Sequence, residues 1–122
     1  MAGIKVTITG LPVEEPYVPK HLHEKVNLGL QATEKKFKEA GIEQTFLYAK
    51  PDDVAGSIGP ELAKSKPDCV VIGFGARGDP KLTPYFEDLV NTAHITLPGC
   101  KFAFNSEPGN SLEAVQRVMN IS

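Results

Sequence analysis

Gly73-Phe-Gly75-Ala-Arg77-Gly78 carries the clearest chemical signal in the chain. The pattern is G-x-G-x-x-G, and it directly follows Asp68-Cys-Val-Val-Ile72, which reads as a buried strand. Glycines at the carboxyl end of a strand let main-chain N–H groups approach a ligand closely, and an arginine among them can clamp an anion. These residues mark a small-molecule site in which Arg77 and the amides of Gly73, Gly75 and Gly78 hold an anionic or polar group.

The pattern is also that of a dinucleotide fingerprint, but its context differs. That fingerprint closes the first strand of a unit and opens straight into a helix. Here Asp79-Pro80-Lys81 intervene before a helix start near Thr83, and the nearest acid at that edge, Glu107, lies 29 residues past Gly78. A chain of 122 residues is also too short for two mononucleotide-binding halves. An anion or carboxylate site without a nucleotide cofactor is the better reading.

The elements that position this loop follow from periodicity. Residues 4–9 alternate and are rich in β-branched side chains, predicting strand one. Leu22, Val26, Leu30, Thr33 and Phe37 form a helical stripe ended by Gly41. Residues 45–49 predict strand two, and a broken helical segment follows, restarted at Gly59-Pro60. Strand three runs from Asp68 to about Phe74. Thr83 is expected to cap a helix with Pro84 at its first position, presenting Phe86, Leu89, Val90, Ala93 and Leu97 to a core. Residues 101–104 predict strand four, and Asn110-Ser-Leu-Glu113 reads as a capping box opening a last helix through Met119.

Alternating strands and helices predict one α/β domain over residues 1–122, a doubly wound, flavodoxin-like four-stranded parallel sheet in the order 2-1-3-4. Ligands bind such sheets beyond the carboxyl ends of the strands, at the switch between strands one and three. That edge collects Thr9, Gly10, the glycine loop, Asn105 and Glu107 as the expected ligand-binding set. The loop of residues 11–20 starts there too and supplies Glu15, and the helix start after it supplies His21, as candidate acid–base groups beside Arg77. Whether catalysis occurs is left open.

Other chemistries are disfavoured. Thr7-Ile-Thr9-Gly10 lacks the hydroxyl run of a flavin phosphate loop, and a phospho-receiver needs acids where Gly10 and Gly73 stand. His21 and His23 point about 200° apart on a helix, which prevents a shared metal. His94 shares a helix face with Glu87 and Asn91 but lies about 16 Å down the axis from the helix start, away from Arg77. Cys69 and Cys100 start neighbouring strands and are expected as reduced thiols. No metal or cofactor is expected.

A net charge of −2 argues against nucleic acid as a partner, and the longest apolar run, Val70-Val-Ile72, is too short for a membrane span. The first residues enter a strand pattern at once, so a cytoplasmic chain without a leader is expected. The alternative function is a non-catalytic regulatory or assembly protein, a homodimer joined through an edge strand or the face bearing Asn91 and His94.

Asp68-Cys-Val-Val-Ile-Gly-Phe-Gly-Ala-Arg77, the later Phe86-Glu87, Val90-Asn91 and His94, and Phe102-Ala-Phe-Asn105 resemble small Rossmann-like, flavodoxin-like proteins of bacteria and fungi. The resemblance covers the second half of the chain, implies the fold, and carries over no reaction or functional residue.

Overall fold

The computed structural model describes residues 3–14, 18–107 and 109–121. The strands are β1 (Lys5–Gly10), β2 (Glu43–Tyr48), β3 (Cys69–Ile72) and β4 (Lys101–Phe104), alternating with helices α1 (His23–Glu39), α2 (Val54–Ser65), α3 (Thr83–Thr96) and α4 (Ser111–Met119). Single 3-10 turns occupy Lys20–Leu22, Phe74–Ala76 and Pro80–Leu82. All strands are parallel in the order β2-β1-β3-β4, as the sequence predicts. Thr9 aligns with Leu47 on one side and Ile72 on the other, so the switch between β1 and β3 opens at Gly10 and Gly73. Among the described residues, no helix is long and apolar enough to cross a membrane.

Period-two alternation sorts the strand side chains onto two faces, each covered by a helix pair. Val6, Ile8, Cys69, Val71 and Ala103 pack with Phe37 of α1 and with Ala114 and Val115 of α4. On the opposite face, Val70 and Ile72 pack with Val54, Ile58 and Leu62 of α2 and with Tyr85, Leu89 and Ala93 of α3. All five residues of the predicted α3 stripe pack on this core, Leu89 and Ala93 fully buried, and Tyr85 joins them. Tyr85 takes a core place and donates from its hydroxyl to the Ala49 carbonyl at 2.7 Å, while Phe86, Val90 and Leu97 are partly buried beside it.

Three local expectations need correction. The segment around Gly59-Pro60 is not broken: α2 runs continuously for 12 residues with Pro60 inside it. A proline costs about 3 kcal/mol in a helix interior, whereas burying Ile58 and Leu62 contributes about 1.5–3 kcal/mol each. The fully buried stripe prevails. Asp53 closes the N-terminus by accepting from the Gly56 N–H at 3.2 Å.

Thr83 is the first residue of α3 rather than its cap, and Pro84 is the second. Its hydroxyl donates to the Pro80 carbonyl, and Asp79 accepts from the Lys81 N–H, both at 2.9 Å. The predicted capping box at Asn110 does not form. Asn110 Oδ1 accepts from the N–H groups of Ser106 (3.0 Å) and Glu107 (3.3 Å), and Glu113 pairs with Lys36 at 3.4 Å. The turn after β4 has orphan donors of its own, and they take the side chain first.

Candidate functional site

A cavity of about 430 Å³ opens where the topology places a site. Its walls come from the ends of β1 and β3, the first half of α1, the loop that follows β1, and the start of α4. The volume lies within the usual range of small-molecule pockets, about 300–1,000 Å³. Leu11, Val13, Val18, Val26, Leu30 and Phe74 supply most of an apolar lining, and Tyr48 closes the β2 side. Burial, and secondarily Glu34, raise the Tyr48 phenol above its ordinary pKa, so it stays a neutral donor through the physiological range.

Thr9, Gly10, Gly73, Gly75, Asn105 and Glu107 all line this cavity. Arg77 and Gly78 do not. The arginine lies behind the loop, where its guanidinium donates to the Asn105 main-chain carbonyl at 2.9 Å. Its carbon centre stands 5.0 Å from the Phe74 ring centroid and 5.8 Å from that of Phe104. It braces the loop against the end of β4.

Most amides expected to cradle an anion are also engaged inside the protein. Gly73 N–H donates to the Thr9 carbonyl at 2.9 Å, Gly78 N–H to the Phe74 carbonyl at 2.8 Å, and Phe74 N–H to Asn105 Oδ1 at 2.7 Å. Ala76 and Arg77 N–H close the 3-10 turn on Gly73 and Phe74. Of residues 73–78, Gly75 alone keeps an N–H without an acceptor among the described residues. A Cβ added there meets nothing within 4 Å, whereas one at Gly78 would lie 2.8 Å from the Phe74 ring. Gly78 is required for the seat of Phe74, and Gly75 is the loop position left open.

The buried floor is polar. Thr9 and Ser111 are 1% exposed and Asn105 5%. Thr9 donates its hydroxyl proton to the Val71 carbonyl, and Asn105 Nδ2 donates to Ser111 Oγ at 2.9 Å. The Ser111 hydroxyl proton has no acceptor among the described residues. Floor donors free for a ligand are thus this hydroxyl and the second Asn105 amide hydrogen, and the exposed Gly75 N–H adds a donor in the loop above. The exposed lining carries Asp79 and Glu107, and no arginine, lysine or histidine of the described residues lines the cavity.

The remaining candidates separate in space. Glu15 lies outside the described residues. His21 is exposed in the 3-10 turn before α1 and lies outside the lining, whereas His23 bonds through Nε2 to the Val18 carbonyl at 2.7 Å and ties down the loop. Glu14, in the same loop, pairs with Lys50 at 3.6 Å. Cys69 and Cys100 lie at the opposite edge. Burial, reinforced by Cys100, pushes the Cys69 thiol up to about 12. Burial likewise raises Cys100. No group of three or more His, Cys, Asp or Glu among the described residues is placed to hold a metal ion.

The apolar walls are what the sequence reading missed. Leu11, Val13 and Val18 sit in a proline-rich loop whose charged residues drew attention, and Val26 and Leu30 belong to a stripe expected to be core. Comparison with protein-family models, curated proteins and solved structures finds no match.

Proposed function

We propose that this chain binds a compact small molecule at the carboxyl edge of its sheet, with an apolar body and a hydrogen-bond acceptor seated on the floor. One observation carries the reading: an apolar cavity of about 430 Å³ at the β1–β3 switch whose buried base holds unengaged donors. Of the two ligand classes expected from sequence, the polar one fits better than the anionic one. Arg77 and the Gly73 and Gly78 amides bind within the protein, and the charged lining groups are carboxylates. A cytosolic setting accords with two free thiols.

Assembly through the β4 edge is less well supported. Arg117 donates to the Phe104 carbonyl at 3.3 Å and Arg77 to that of Asn105, so charged side chains occupy the end of that edge.

Thermal-shift screening with small uncharged esters, ketones and alcohols tests the proposal. The melting temperature should rise with ligand concentration, and Leu30→Trp, which fills the cavity, should abolish the gain. An undiminished gain in the filled variant, or no gain with any compound, overturns it.

A further inference from the structure

The exposed part of the same cavity narrows the ligand class. Asp79 follows the glycine loop and Glu107 follows β4, and both line the opening. Neither forms a salt bridge among the described residues, although Glu14, Glu43 and Glu113 each do. Asp79 Oδ1 accepts one main-chain N–H, from Lys81, and its second oxygen has no protein donor. Glu107 accepts no hydrogen bond at its carboxylate among the described residues.

Lys50 is directed to Glu14, Arg77 to Asn105 and Arg117 to Phe104, and Lys81, two residues past Asp79, forms no salt bridge with it among the described residues. The positive end of the α4 dipole lies at Ser111 on the buried floor, which suits an acceptor there and leaves the opening to the carboxylates. Charge and polarity therefore divide by depth: donors at the base, apolar walls, and unpaired negative charge at the mouth.

Resting on the binding function proposed above, we infer that the ligand is an amphiphilic amine, its apolar body in the cavity and its protonated nitrogen between Asp79 and Glu107. A primary ammonium offers three donors to carboxylate oxygens that the protein leaves unsatisfied.

Three isosteric probes test this at neutral pH by titration calorimetry: 3-phenylpropylamine, 3-phenylpropan-1-ol and 3-phenylpropanoate. The amine should bind about fivefold more tightly than the alcohol, as expected for partly exposed ion pairs, and the carboxylate more weakly than either. The paired substitution Asp79→Asn and Glu107→Gln should bring the amine and the alcohol to the same affinity in that variant. Asn at position 79 can still accept from the Lys81 N–H. Added salt should narrow the gap between amine and alcohol. Equal binding of alcohol and amine, or tighter binding of the carboxylate, would overturn the amine assignment and leave the cavity reading intact. Failure of all three probes would remove both.

Discussion

Arg77 and Asn105 hold each other in place: the arginine Nη2 donates to the asparagine main-chain carbonyl at 2.9 Å, while Asn105 Oδ1 accepts from the N–H of Phe74, whose ring lies against the guanidinium. An arginine that looks poised for an anion in the sequence is a brace between the ends of β3 and β4. One of its nitrogens is bonded to the end of β4, and the centroids of two aromatic rings lie 5.0 and 5.8 Å from its carbon centre.

Arg77→Ala should therefore act on stability. Losing a charge-assisted hydrogen bond and two ring contacts costs about 1–2 kcal/mol after allowance for exposure. Urea unfolding will measure it. Arg77→Lys should recover less than half, because an ammonium cannot stack as a plane. A large loss of ligand affinity in Arg77→Lys with unchanged stability would restore the arginine to the binding site.

Asn105→Ala should cost about 1–3 kcal/mol, since it leaves the part-buried N–H of Phe74 without its acceptor and removes the buried donor to Ser111. Amide hydrogen exchange at Phe74 should accelerate well beyond the global change. Asn105→Asp keeps the acceptor and loses the donor, so it should protect Phe74 N–H while still weakening the start of α4.

The glycines of the motif should respond unequally. Gly75→Ala faces open space and should stay within about 0.5 kcal/mol of the parent. Gly78→Ala pushes a Cβ toward the Phe74 ring, at 2.8 Å, so the ring must move and its contact with Arg77 weakens, at a cost of about 1 kcal/mol. Gly73→Ala meets the Thr9 carbonyl at 3.3 Å, a backbone neighbour with little room to yield. Melting temperatures of the three variants should rank Gly75→Ala highest.

Alkaline pH should destabilise the fold through Cys69. Its thiol is raised to about 12 by burial, so the folded state keeps the proton after the unfolded chain has released it. The contribution is complete below the ordinary thiol range and is lost as pH climbs from about 9 towards 12. Stability curves of Cys69→Ala should be flatter than those of the parent in that window. In the native protein below it, Cys69 should react with thiol reagents far more slowly than the half-buried Cys100.

The sheet order, the alternation of elements and the edge that carries the cavity were legible because they depend on periodicity and on the handedness of crossovers. Lys101–Phe104 is a strand at the predicted bounds. Side-chain direction was not legible. Asn110 could cap α4 or satisfy the turn before it, and both uses fit the same letters; only the backbone path decides. The same holds for Arg77, whose spacing from Gly73 suits a clamp, whereas its distance from Asn105 exists only once β3 and β4 pair. The charges of the loop after β1 attracted attention over its apolar residues, though the latter face the cavity.

The cavity walls run from Ile8 of β1 to Ser111 of α4. A nascent chain lacking α4 would have β1 and the glycine loop in hand but no base beneath them. The cavity is thus complete only once α4 has docked on the sheet, and a molecule bound in it would favour that docked state.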